Sequence, residues 1–128
     1  MVAFLSERLA VVVLEERPNL GATLIEKFEA NAEVGAAVVL FTADDLGCLK
    51  TDLETVGLVP RARQNVLIEL GFFFGRLGRD RVCLLREPDV EVPSDLSGIV
   101  YTEIQLSTDS DWQEQLVREL SAMGLAIR

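Results

Sequence analysis

Two continuous apolar runs, Ala10-Val-Val-Val-Leu14 and Ala36-Ala-Val-Val-Leu-Phe-Thr42, bracket a segment in which Thr23, Leu24, Ile25, Lys27, Phe28 and Glu29 follow a helical pattern. Apolar runs without polar alternation read as strands buried on both faces, as in a parallel sheet covered by helices on either side. The turn Glu16-Arg17-Pro18-Asn19-Leu20-Gly21 leads into the intervening helix, so this part of the chain predicts a β-α-β unit. Further on, Val66, Leu70, Phe73, Phe74 and Leu77 recur at helical intervals and predict a helix from about Ala62 to Leu77, ended by Gly78. Arg81-Val-Cys-Leu-Leu85 and Gly98-Ile-Val-Tyr-Thr102 read as two further strands. A last helix opens with Ser110 and Gln113 in capping-box spacing and buries Trp112, Leu116, Val117 and Leu120. Strands alternating with helices specify an open, parallel α/β sheet.

The 128 residues, 49% of them hydrophobic, supply one core and hence a single domain over residues 1–128. A net charge of -9 argues against a general nucleic-acid binder, because phosphate-backbone affinity comes from surplus Lys and Arg. One bound nucleotide needs only a few local donors and stays open. The absence of histidine removes Ser-His-Asp and Cys-His nucleophiles and imidazole metal ligation. Carboxylates, hydroxyls and arginines must therefore carry any chemistry, and no metal site is expected. Cys48 and Cys83 fit neither a zinc pattern nor a disulfide framework, which points to a reduced, cytoplasmic setting. No apolar run reaches bilayer length and the start lacks signal-peptide features, so no membrane partner is expected.

Two connections are long. Ala43 to Arg61, about nineteen residues, follows the C-terminal end of a strand, where open α/β sheets bind ligands. Glu87 to Ser97 carries Pro88 and Pro93, with a short helical turn expected from Ser94. The chain starts within a helical segment, Val2 to Leu9, so its first recognisable strand has no strand before it. In a doubly wound sheet the first strand is central, so either the fold begins differently or a strand is missing.

Glu69 is a carboxylate in an otherwise apolar stretch of the Ala62 to Leu77 helix, and such a group is costly to bury unpaired. It shares a helix face with Asn65, Phe72 and Arg76, adjacent to the apolar stripe. That face could border a pocket under the Ala43 to Arg61 loop, with Asn65 or Arg63 orienting the carboxylate. From periodicity alone, a surface glutamate paired with Arg76 or solvated is the commoner outcome. Arg61, Arg63 and Asn65 combine side-chain donors with a helix N-terminus, as a phosphate site does, and equally suit pairing with nearby acids. Asp44 and Asp45 after a buried strand serve a ribose, a cation or, most commonly, a turn. Arg17-Pro18-Asn19 and Gly21 admit a loop-to-helix phosphate site, although no Walker, complete G-x-G-x-x-G or G-x-S-x-G element is present.

Taken together, the segments Glu16 to Gly21 with Thr23 to Lys27, Val38 to Asp45, Ala62 to Gly71 with Gly75 to Gly78, and Pro93 to Tyr101 resemble the predicted nucleotide-binding proteins with a TIR-like domain, effectors of bacterial cyclic-nucleotide antiphage systems. The pieces occur in the family's order over nearly the whole chain. The resemblance implies a flavodoxin-like α/β fold, a parallel sheet flanked by helices, that cleaves the nicotinamide-ribose bond of NAD, with NAD as substrate and no cofactor. The family's catalytic carboxylate lies in the motif Ala-Arg-x-Asn-Val-x-x-Glu-Leu-Gly, which maps onto Glu69. Its nucleotide-site loops map onto Arg17, Asn19 and Gly21 and onto Asp44 and Asp45, with Arg63 and Asn65 as supporting residues. Family members begin with a strand ending in a glycine-containing loop, whereas this chain starts in the following helix. The resemblance thus implies a sheet lacking its first central strand, its exposed positions covered by altered pairing or by another chain.

The implied chemistry suits one carboxylate and no histidine. Nicotinamide leaves NAD as a neutral base, so no general acid is needed, and an ionised glutamate can stabilise the oxocarbenium-like ribose or engage its hydroxyls. Such domains need assembly, normally through a cyclic-nucleotide sensor domain, so self-association and a sensor partner are implied. The alternatives are a non-catalytic nucleotide-binding or TIR-TIR interaction module and, more distantly, a base or deoxyribosyl transferase.

Overall fold

The computed structural model describes residues 1–96, 101–104 and 111–128. Helix α1 (Val2–Ser6) leads through a segment without regular structure and a 3-10 turn (Leu14–Glu16) to α2 (Leu24–Ala30). Strand β1 (Ala37–Phe41) is followed by a small hairpin, β2 (Asp45–Gly47) with β3 (Val59–Arg61), then by the long helix α3 (Gln64–Leu77). Strand β4 (Val82–Arg86), strand β5 (Tyr101–Glu103) and helix α4 (Asp111–Ala122) complete the order.

The main sheet is parallel in the order β1-β4-β5, with Val39 opposite Leu84 and Leu84 opposite Tyr101. Helices cover both faces. On one, Val39, Phe41, Val82 and Leu84 pack against Leu70 and Phe73 of α3. On the other, Cys83 and Leu85 meet Trp112, Leu116 and Leu120 of α4 and Leu5 of α1. Because neighbouring residues of a strand point to opposite faces, β4 with Val82 to Leu85 all buried is the central strand of a three-layer α/β/α arrangement. This is the flavodoxin-like architecture that the resemblance implies.

Thr23 caps α2 by accepting from the Glu26 N–H while the Glu26 carboxylate accepts from the Thr23 N–H, a complete capping box. Phe28 is fully buried and holds α2 against α3, its ring centroid 5.5 Å from Phe72 and 6.0 Å from Phe73. Gly78 closes α3 at φ 89°, a conformation that L side chains rarely adopt. Beyond β4 the expected turn from Ser94 forms as Ser94–Leu96. The Ser110 cap and the start of the expected Gly98 to Thr102 strand lie outside the described residues.

Two expectations need correction. Ala10 to Leu14 is not a strand: residues 10–13 carry no ladder, and the segment ends in the Leu14–Glu16 turn. Its β-branched side chains favour extended backbone, but a strand also needs a neighbour for its N–H and C=O groups, and among the described residues the ladder of β1 goes to β4 alone. The segment passes from one core to the other, Val11 joining the α4 side and Leu14 the α3 side. Second, the long Ala43 to Arg61 connection, read as a loop, carries structure of its own. It folds into the β2–β3 hairpin, with Asp45 opposite Arg61, and a 3-10 turn at Lys50–Asp52. The hairpin is tied to the chain after β4: the Glu91 N–H donates to the Pro60 carbonyl at 2.9 Å and the Arg61 guanidinium to the Glu91 carboxylate at 2.9 Å. Gly47 lets the Arg61 side chain cross the hairpin, since a Cβ there would lie 2.9 Å from it.

Candidate active site at the α2–α3 junction

Glu69 sits on the second turn of α3, half-buried, between the apolar stripe that faces the sheet and the solvent-exposed face of Leu67, Ile68 and Gly71. Burial raises its carboxyl above the ordinary value of 4.5, opposed by the Arg63 guanidinium, reinforced by the Glu15 carboxylate, and opposed again by the Lys27 ammonium. Glu15 belongs to the 3-10 turn before α2 and Lys27 to α2 itself, so Glu69 lies where α3 meets that turn and helix. The phenylalanine contacts of α2 with α3 fix this junction, because Phe72 is one turn beyond Glu69 and next to it on the helix surface. Among the described residues no ion pair forms between Glu69 and Arg76, and the Glu69 side chain is half-buried rather than fully solvated.

Arg63 is the N-cap residue of α3 and has no side-chain capping bond. Its Nε lies 3.5 Å from Asp44 Oδ2, and Thr42 Oγ1 donates to the same oxygen. Asp44 lies just past the end of β1, after Thr42 and Ala43, so Arg63 links the C-terminal end of a parallel strand to the start of the helix that carries Glu69. Ligands in open α/β sheets bind at such strand ends. The backbone there is held from a third side: the Ala43 N–H donates to Glu87 Oε2 at 2.9 Å, from just beyond the end of β4.

The other residues singled out in the sequence are distributed around this centre. Asn65 is exposed, one turn before Glu69, with no side-chain hydrogen bond among the described residues. Asp45 is exposed at the start of the hairpin, opposite Arg61 in the ladder, so Asp44 rather than Asp45 carries the link to Arg63. Arg17, Asn19 and Gly21 form the exposed connection between Glu15 and α2. There Leu20 at φ 49° and Gly21 at φ 75° turn the chain, and the Ala22 N–H closes the turn on the Asn19 carbonyl at 2.7 Å. This connection is continuous with the two elements that bring Glu15 and Lys27 to Glu69. Sequence reasoning did not find those two residues; for Lys27 the available signal was its place beside Phe28, which faces the core, whereas Glu15 carried none.

Among the described residues no group of Cys, Asp and Glu could hold a metal ion, and no helix is long and apolar enough to cross a membrane. Both cysteines are free; burial pushes the Cys83 thiol up to about 11, with the Glu119 carboxylate adding to it. The site therefore offers a partly desolvated carboxylate flanked by a guanidinium and an ammonium. It can bind or stabilise positive charge while holding polar groups of a ligand nearby.

The family profile described as "CAP12/Pycsar effector protein, TIR domain" matches residues 1–106. Over 118 residues the chain is 47% identical to the uncharacterised protein YuaY of Escherichia coli K12, covering 91% of this chain and 38% of YuaY. It is 34% identical over 105 residues to protein tirC of Dictyostelium discoideum, covering 72% of this chain and 51% of tirC. It is also 47% identical over 81 residues to the Pycsar effector protein PaPycTIR of Pseudomonas aeruginosa, covering 62% of this chain and 25% of that protein. The chain thus spans about half or less of the length of each of these relatives.

Proposed function

This chain belongs to the CAP12/Pycsar effector TIR-domain family, and on that premise we propose that it is a TIR-like NAD glycohydrolase domain of an antiphage effector, with Glu69 as its catalytic carboxylate. The observation that carries the reading is the state of Glu69: half-buried, held at a helix junction, and with no ion pair among the described residues. A poorly hydrated carboxylate interacts strongly with the positive charge that develops on ribose as the bond to nicotinamide breaks. Neutral nicotinamide departs without protonation, so the lack of a histidine or a second catalytic acid is no obstacle. In this reading Arg63, anchored by Asp44 just past β1, and the Arg17 to Gly21 connection receive phosphate and ribose oxygens of the dinucleotide. Water is the simplest acceptor for the ribosyl cation, giving ADP-ribose and nicotinamide.

The reading extends to partners. Relatives named CD-NTase-associated protein 12 and Pycsar effector support a link to a cyclic-nucleotide sensor domain or partner, and the proposal adds that the domain acts when copies associate. The test is nicotinamide release from NAD at high protein concentration, comparing the parent with Glu69→Gln. The glutamine variant is expected to keep its fold and lose turnover by more than a hundredfold; turnover equal to that of the parent rejects the assignment. Thermal stabilisation by NAD without release of nicotinamide from the parent protein assigns a nucleotide-binding module instead.

A further inference from the structure

At the end of β1 a side-chain carboxylate stands in for a backbone carbonyl. The register of β1 with β4 brings Phe41 opposite Arg86, so Thr42 and Glu87 would form the next pair. In a parallel ladder that pair has two bonds, from the Glu87 N–H to the Phe41 carbonyl and from the Ala43 N–H to the Glu87 carbonyl. The first is present at 2.9 Å. In the second the acceptor is exchanged: the Ala43 N–H donates to Glu87 Oε2 at 2.9 Å. The Glu87 carbonyl is engaged elsewhere, accepting from the Val90 N–H at 3.3 Å across a turn with Pro88 in second place and Asp89, at φ 66°, in third. Proline followed by a residue of positive φ is the pattern of a type II turn. The chain thus turns away just after β4, and the Glu87 side chain reaches back to complete the ladder.

Ala43 is the apex of a three-residue turn. The Asp44 N–H returns to the Thr42 carbonyl at 2.8 Å, and the Thr42 hydroxyl donates to Asp44 Oδ2. That oxygen is the one 3.5 Å from Arg63 Nε. We propose that Glu87 is a positioning residue of the candidate site: by holding the Ala43 amide it fixes Asp44, and through Asp44 the Arg63 guanidinium at the start of the helix that carries Glu69. Burial does not fix this pair, because the Asp44 and Arg63 side chains are 39% and 58% exposed, and exposed ion pairs do not hold a geometry by themselves. The charges acting on Glu69 are those of Arg63, Glu15 and Lys27, with Glu87 not among them. The influence of Glu87 on Glu69 therefore passes through Ala43, Asp44 and Arg63. Its consequence for NAD turnover rests on the reading of Glu69 as catalytic and Arg63 as a phosphate-binding group; the clamp itself does not.

Variants of the full chain separate reach from charge. Glu87→Gln keeps an acceptor oxygen at the same reach, Glu87→Asp keeps the charge but is one methylene shorter, and Glu87→Ala removes both. The NMR titration of the Glu69 side-chain carboxyl carbon should move upward in Glu87→Asp and Glu87→Ala, the direction expected for Arg63→Ala, and stay at the parent value in Glu87→Gln. In an Arg63→Ala background none of these changes should move it further, since the group they act through is gone. With NAD as substrate, Glu87→Asp and Glu87→Ala should raise KM about tenfold while kcat changes less than about threefold, because a phosphate contact away from the bond that breaks serves substrate and transition state alike. Glu87→Gln should keep the parental KM. The proposal is overturned if Glu87→Asp matches the parent while Glu87→Gln matches Glu87→Ala, which would assign the effect to charge. It is also overturned by a Glu69 titration unmoved in Glu87→Asp, or moved as far in the Arg63→Ala background as in the parent. Should Glu87→Ala misfold, Glu87→Asp and Glu87→Gln decide between them. A parent that releases no nicotinamide while the titrations follow this pattern overturns the glycohydrolase reading and supports the clamp.

Discussion

Replacing Phe28 with alanine should loosen the candidate site by detaching the helix behind it. The side chain is fully buried and meets two rings of α3, Phe72 at 5.5 Å and Phe73 at 6.0 Å. Truncating a buried phenylalanine costs about 3–5 kcal/mol, the transfer free energy of the ring plus the cavity it leaves. An unfolding entropy of roughly 2.1 cal/mol/K per residue gives about 0.27 kcal/mol/K for 128 residues. The melting temperature should then fall by roughly 11–19 °C, a large part of the margin of a typical domain. Phe28→Leu keeps most of the volume and loses chiefly the ring pairs, about 1–2 kcal/mol and hence roughly 4–7 °C. In this milder variant the site reports as well. Burial is the main cause of the raised Glu69 carboxyl, so a looser α2 admits water and moves that carboxyl back toward its ordinary value. Thermal unfolding by far-UV circular dichroism measures the first effect, and an NMR titration of the side-chain carboxyl carbon the second. A fall of less than about 4 °C for Phe28→Ala, or an unmoved Glu69 titration in Phe28→Leu, would refute the claim that this ring holds the junction closed.

Glu69 also gives a stability signature that depends on pH. Its folded carboxyl titrates above the unfolded one, so the folded state holds its proton longer and the parent loses stability as pH rises from about 4.5 through the folded value. Glu69→Gln escapes that loss and should gain on the parent in denaturant unfolding at about pH 7.5 compared with about pH 3.5; a difference that is the same at both pH values counts against a buried, unneutralised carboxylate. Removing the guanidinium in Arg63→Ala should push the Glu69 carboxyl further up while costing less than about 1 kcal/mol of stability, because the Arg63 side chain is 58% exposed. A downward shift in the NMR titration of that variant would show that Arg63 does not act on Glu69.

The carboxylate and its motif were legible in the sequence because they depend on spacing along one helix. The positions of Val66, Leu70, Phe73 and Leu77 set which side of α3 faces the sheet, and that phase alone puts Glu69 at the border of the buried stripe. Strands β1 and β4 and the glycine stop after α3 were readable for the same reason, since each rests on a pattern within a few residues. Contacts between distant segments were not readable. The choice of Asp44 over Asp45 as the partner of Arg63, and the arrival of Glu15 and Lys27 beside Glu69, depend on how the turn and α2 dock on α3. The Ala43 to Arg61 connection became a hairpin because Arg61 and Pro60 found partners at Glu91, thirty residues away for the Arg61 pair. The Ala10 to Leu14 run shows the limit most plainly. Its side chains carry every local mark of a buried strand, yet a strand is completed by the backbone groups of a neighbour, and only the tertiary arrangement decides whether that neighbour is there.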